Sequence, residues 1–217
     1  MSDNPRMSHP DSAAGERAHI IEDAIVAQLS EELAAVRDRI VAAYPDLQVA
    51  GFRGELTLVA QPAQVPEVLR FCRDDPAVSC ELLADLSGVH WPGGTFRRPA
   101  QETTGWPAYA ETVEHGRIEI DYILYSVTHN HRLRVRVFLP DEDPTIASVT
   151  PLYASADMME REAYDFFGVD FQGHPNLTRV LMPDDWEGHP HRKDYPLGGV
   201  DVQYKGATIP PPDQRQY

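Results

Sequence analysis

Two cysteines in 217 residues, Cys72 and Cys80, are too few for a disulfide framework and cannot supply the four thiolates of an iron–sulfur cluster. The pair reads as two small buried hydrophobes in a reducing compartment. No apolar run approaches the ~18 residues a spanning helix needs, so any tie to a membrane is expected to pass through another protein. Bases are scarce: 19 Lys and Arg stand against 34 Asp and Glu, a formal charge of −15. That balance opposes binding to a phosphate backbone and removes nucleic acid from the expected partners. The opening residues lack the apolar core of a signal peptide, and positions 1–17 read as a disordered cytoplasmic leader. No Gly-rich phosphate loop and no internal repeat is present.

What is there suffices for one main core, since 42% of the residues are hydrophobic. Ile21, Ile25, Leu29, Leu33, Val36 and Ile40 recur at helical spacing and predict a helix from about Ala18 to Ala43, ended by Tyr44 and Pro45. A strand over Glu55–Val59 and a short helix begun at Pro66 and stopped at Asp74 to Pro76 follow. Cys80 to Trp91 reads as strand, and residues 92–116, rich in Gly, Pro, Thr and Glu without periodicity, read as a loop insertion. Alternation over Arg117–Val127 and Arg132–Leu139 predicts a hairpin with His129 and Asn130 as its turn. Ile120, Tyr122, Leu124, Val135, Val137 and Leu139 then share one side, and Arg132, Arg134 and Arg136 face out. A last helix spans about Ser155 to Phe167 on a stripe of Met159, Ala163, Phe166 and Phe167, and Gly168 is placed to end it. The expected class is α+β: a mainly antiparallel sheet with packed helices over 18–170, then an extended Pro-rich C-terminal arm over 171–217.

The arm carries seven of the 19 prolines, which forbid long helices. It mixes Phe171, Leu177, Leu181, Trp186 and Tyr195 with Arg179, Asp184, Asp185, Arg192, Lys193 and Asp194. Aromatic anchors and arginines among polar groups suit a protein interface, so the arm is expected to lie on another protein chain and its removal to spare the body.

The most specific stretch is residues 160–196, EREAYDFFGVDFQGHPNLTRVLMPDDWEGHPHRKDYP. Arg161 and Asp165 lie one helical turn apart and are expected to pair on the surface, with Glu160 and Tyr164 on the neighbouring row. Two Gly-His-Pro triplets, Gly173-His174-Pro175 and Gly188-His189-Pro190, are sharp re-aimings of the chain. This run closely resembles the signature of the 30 kDa-type (C-type) subunit of type I NADH:quinone oxidoreductases, the respiratory complex I of bacteria, and of related hydrogenase-like complexes. The resemblance rests on EREAYDFFGV, Phe171, GHP at 173–175, Leu177, Arg179, Asp184, DWEGHP with Trp186, and Arg192, Lys193, Asp194, Tyr195 and Pro196. It extends back over the 117–144 hairpin.

The resemblance implies a cofactor-free subunit of the cytoplasmic peripheral arm. FMN, iron–sulfur clusters and quinone would be bound by other chains, with subunits D, B and I as neighbours and D the chief partner. The same subunit type serves ferredoxin-, F420- and hydrogenase-type complexes. The competing class is a stand-alone metal hydrolase using His129, His131, His174, His189 or His191, but the prolines after two of these fit turns better than a zinc site. Glu160 and Glu162 point about 200° apart on a helix, which disfavours an acid–base pair. No catalytic, cofactor or metal residue is therefore expected, and Trp186 is expected to be a packing anchor.

Overall fold

The computed structural model describes residues 29–98, 109–196, 202–204 and 206–209. The expected leader over 1–17, the part of the expected first helix before 29 and the end of the arm beyond 209 lie outside the described residues. The chain divides into two compact units, and residues 154–196 fall within one of them.

In the first unit, α1 (Glu31–Ala43) begins where the Ser30 side chain accepts the Leu33 N–H at 3.2 Å. The helix thus has its own N-cap, and the continuous helix expected from Ala18 is interrupted at Leu29 and Ser30, which are not helical. Leu33, Val36 and Ile40 form its buried stripe. Two strands follow where one was expected. β1 (Gln48–Phe52) and β2 (Glu55–Ala60) pair antiparallel across Arg53 and Gly54, both at positive φ, which is the tight twist-matching turn that hairpins favour. A 3-10 turn (Pro62–Gln64) leads into α2 (Val65–Asp74), which buries Val65, Val68, Leu69 and Cys72. Tyr153 closes this side, its hydroxyl donating to the carbonyls of Cys80 at 2.9 Å and Leu69 at 3.4 Å.

Three longer strands, β3 (Leu82–Trp91), β6 (Arg117–Ser126) and β7 (His131–Pro140), complete a five-stranded sheet in the order β1-β2-β7-β6-β3. β2 runs parallel to β7, Leu56 opposite Leu133 and Leu58 opposite Val135. The sheet is therefore mixed: its antiparallel part fits the expectation, and the parallel β2–β7 pair adds to it. Alternation shows which face a strand buries but says nothing of the direction of a partner distant in sequence.

The expected hairpin is present with a four-residue connection, 127–130, in place of two. Glu81 accepts the Val127 N–H, and the Ser126 hydroxyl accepts the His129 N–H, which holds the longer turn. Lengthening by two residues preserves facing, so all six predicted apolar positions are buried. The outward arginines form a ladder with acids: Arg132 and Arg134 meet Glu55, and Arg134 and Arg136 meet Asp121.

In the second unit, residues 92–116 are not simply a loop. β4 (Gly94–Arg98) and β5 (Tyr109–Val113) pair antiparallel from Gly94 opposite Val113 to Arg98 opposite Tyr109. Flanking glycines and prolines hide two short strands whose evidence is their pairing rather than their pattern. β8 (Thr145–Ala147) runs parallel to β9 (Asp170–Gln172) and brackets α3 (Ala156–Phe167). β10 (Val202–Tyr204) and β11 (Ala207–Ile209) form a small antiparallel pair. Between β9 and β10 the described segment to Pro196 is a run of turns, not an extended arm. Within the described residues no helix is long and apolar enough to cross a membrane.

Cys72 and Cys80 are free and fully buried, and burial raises both thiols, Cys80 to about 12. Neither is expected to react with an alkylating reagent at pH 8 in the native protein, and both should react in denaturant. Labelling of either thiol at the rate of a free cysteine under native conditions would contradict this packing.

Candidate functional site

The signature segment and its contacts lie in the second unit. α3 stops because Gly168 takes the left-handed conformation, φ 78° and ψ 26°, with its N–H on the Tyr164 carbonyl. A Cβ at 168 would also come within 2.7 Å of the His189 ring, so the position needs glycine for backbone and for space. One turn back, Asp165 points inward and is 0% exposed. Its Oδ2 accepts the successive backbone N–H groups of Val180, Leu181 and Met182 at 3.0, 2.8 and 2.9 Å, and its Oδ1 accepts Arg179 Nη1 at 2.7 Å. Consecutive amides converging on one oxygen make an anion nest. Burial pushes this carboxyl up, but the Met182 amide, the Arg179 guanidinium and the Leu181 and Val180 amides together outweigh it and hold the group at about 2.

Arg179 extends the lock. Nη1 also reaches the Asp165 carbonyl at 3.2 Å, and Nη2 donates to the carbonyls of Trp186 at 2.9 Å and Gly188 at 3.0 Å. Arg161 donates to the Thr178 carbonyl and hydroxyl at 3.1 and 2.9 Å and to the Arg179 carbonyl at 3.2 Å. The expected Arg161–Asp165 surface pair is thus replaced: Asp165 turns into the core and each residue holds the turns after β9. His189 Nδ1 lies 3.0 Å from the Asp165 carbonyl, which can only accept, so Nδ1 carries the proton.

A second buried acid lies at the other end of α3. Glu160, 0% exposed, accepts the Val149 N–H and the Ser148 hydroxyl, both at 2.7 Å, and burial raises its pKa against these bonds. Nearby, His174 accepts the Asn176 N–H at Nδ1 and directs Nε2 to the Asp157 carbonyl at 3.1 Å. Gly173 and Gly188 both sit at φ 82°, as the two Gly-His-Pro triplets predict.

His90, which no sequence pattern singles out, anchors the later turns. Its Nδ1 accepts the Lys193 N–H at 2.8 Å and its Nε2 faces Asp141 at 3.3 Å. Arg192 donates to the Asp141 carbonyl at 3.1 Å and pairs with Asp194 at 3.4 Å. The His191 ring stacks on Phe166, centroids 4.0 Å apart, and its backbone N–H meets the Phe166 carbonyl at 3.1 Å. An open groove of about 540 Å³ lies here, lined by Gly88, Val89, Phe167, Pro190, His191 and Tyr195 among others. Gly88 leaves the room that Phe167 fills, since a Cβ there would come within 2.7 Å of the ring.

Chemically this arrangement binds main chain. His174, His189 and His90 each bond a backbone group, and among the described residues no group of three His, Cys, Asp or Glu is set to hold a metal ion.

Residues 58–201 match the family model described as "Respiratory-chain NADH dehydrogenase, 30 Kd subunit". The chain belongs to that family. It is 48% identical over 169 residues to the C-type subunit of the NADH-quinone oxidoreductase of Mycolicibacterium paratuberculosis, covering 78% of this chain and 64% of that one. To the same subunit of Mycobacterium sp. strain KMS it is 45% identical over 195 residues, covering 89% and 72%. The chain thus spans somewhat under two thirds of the length of the first of these relatives. Among solved structures, a chain of the membrane-bound sulfane sulfur reductase, an archaeal respiratory membrane complex, shares the fold, with TM-score 0.59 and 23% identity over 77% of this chain and 87% of that one.

The family signature is therefore one connected structure rather than an extended strip. Asp165, Arg179, Gly168, His189, Arg161 and Gly188 are brought together, and Tyr195 packs on Gly188 with its hydroxyl on the Glu187 carbonyl at 3.3 Å. Glu160, Phe171 and Gly173-His174 form a neighbouring group, and Pro190, Arg192, Lys193 and Asp194 a third around His90. Glu162, Pro175, Asp184, Trp186 and Pro196 are exposed, and Tyr164 sets its ring edge toward His189 at 6.2 Å. Trp186 is thus not a buried anchor within this chain.

Because the lock consumes residues 178–188, deleting 171–217 is expected to unfold the second unit rather than spare the body. Asp165→Ala should cost about 3–5 kcal/mol in denaturant unfolding, because it strands a guanidinium and three amides. A loss under about 1 kcal/mol would mean the nest is not what holds these turns. Since the folded carboxyl lies below its ordinary value, its contribution is complete above about pH 4 and is lost as pH falls toward about 2. Melting followed from pH 5 to pH 2 should show an acid limb that shrinks in Asp165→Asn.

Proposed function

We propose that the chain is a cofactor-free structural subunit in the peripheral arm of a proton-pumping NADH:quinone oxidoreductase, held at the cytoplasmic side of the cell membrane by its partners. Electrons from NADH would pass through FMN and iron–sulfur clusters in other chains to quinone, and this subunit would supply geometry. The proposed partners are subunits D, B and I of that assembly, with D the chief one.

One observation carries the reading. Within the signature segment Arg161, Asp165, Arg179 and His189 fix its own backbone, while Leu181 and Trp186 stay 62% and 39% exposed. A segment locked from within that leaves two large apolar side chains exposed is shaped to be docked against, and it supports assembly better than catalysis.

Affinity purification of the tagged chain from native membranes tests this. Chains of an NADH-oxidising, quinone-reducing complex should co-elute, and the isolated chain should be colourless and free of zinc. Co-elution with a ferredoxin-, F420- or hydrogen-linked module would reassign the complex. Elution alone with stoichiometric zinc and a hydrolytic activity lost in His174→Ala would overturn the proposal.

A further inference from the structure

The segment 178–188 contains a single cation, Arg179, and three acids, Asp184, Asp185 and Glu187. The structure sorts them by direction. Arg179 faces inward onto Asp165 and onto the carbonyls of Trp186 and Gly188. The three acids are exposed, and their carboxylates make no hydrogen bond or ion pair with any described residue. With its one cation withdrawn, the segment presents a surface of a single sign.

The loop that carries the acids is fixed at both ends. Upstream, Asp165 holds the N–H groups of residues 180, 181 and 182; downstream, Arg179 holds the carbonyls of 186 and 188. Between them the Trp186 N–H bonds the Pro183 carbonyl at 3.0 Å, closing a turn in which Pro183, Asp184, Asp185, Trp186 and Glu187 are all exposed. Leu181, beside it, is also exposed. One buried ion pair therefore preorganises an acidic loop with two large apolar side chains, and the ordering cost of binding is already met.

We propose that this loop is a docking epitope for a cationic segment of a partner chain, with Trp186 stacking on a partner Arg or Lys and the three carboxylates pairing around it. This rests on the function proposed above and names the chemistry of the partner it leaves open. Charge complementarity selects the occupant: a second copy of this chain, at −15 overall, and an anionic lipid surface are both repelled by the loop. A guanidinium or ammonium over an indole face adds attraction that an acidic or purely apolar partner lacks.

The test uses the tagged chain in its native complex, washed at rising KCl. The triple variant D184N/D185N/E187Q is expected to bind about tenfold more weakly than wild type at about 0.1 M salt. Its curve should merge with that of wild type near 0.5 M, where screening removes the advantage. Trp186→Ala should weaken retention without changing the salt slope. If the neutralised loop also lowers the melting temperature, the second readout decides: p-benzoylphenylalanine in place of Trp186, with the acids intact, should cross-link to a partner peptide containing Lys or Arg near the attachment point. Equal retention of a normally stable triple variant at every salt, or a cross-linked peptide without Lys or Arg, overturns the proposal. Absence of wild type from any respiratory complex instead defeats the function proposed above.

Discussion

A single carboxylate, Asp165, sits at the centre of the C-terminal architecture. Removing it from water is unfavourable on its own, and the site is tolerable because four donors converge on it, one a guanidinium and three consecutive amides. Those amides belong to a stretch with no helix and no strand to satisfy them. The carboxylate thus serves as their common acceptor, doing for an irregular loop what a neighbouring strand does for a sheet. Arg179 carries the same solution further, capping carbonyls that have no ladder of their own.

The consequence is a division of labour among polar residues that their types do not announce. Histidines, arginines and acids crowd residues 160–196 at a density that suggests chemistry. His174, His189 and His90 each spend a ring nitrogen on a main-chain partner, so these rings hold backbone in place. The conspicuous residues thus build a shape.

How much is legible in the sequence follows from which forces leave a periodic trace. α3 and its end at Gly168, the β6 and β7 strands with their buried faces, and the two Gly-His-Pro turns are readable because each depends on residues close in the chain. β1 escapes notice although Arg53-Gly54 is its signal, and β4 and β5 do so because short strands flanked by breakers have no face to alternate. Glu160 and Asp165 are expected on the surface because a charge on a helix is usually solvated. Their burial depends on amides at 149 and 180–182, partners that periodicity does not reveal. The arm is expected to be extended for the same reason: its prolines exclude a helix, but the acceptor that folds it back is Asp165, before the segment begins.

The parallel pairing of β2 with β7 has a temporal side. β2 is complete by Ala60, yet its sheet partner runs from Leu133 to Val137, and the first unit also waits for Pro151–Tyr153. An emerging chain therefore carries the apolar β2 strand past the ribosome well before its parallel neighbour exists. Contacts so far apart in sequence slow folding and leave strand edges open meanwhile. Synthesis rate and chaperone supply are then expected to influence how much of this chain folds.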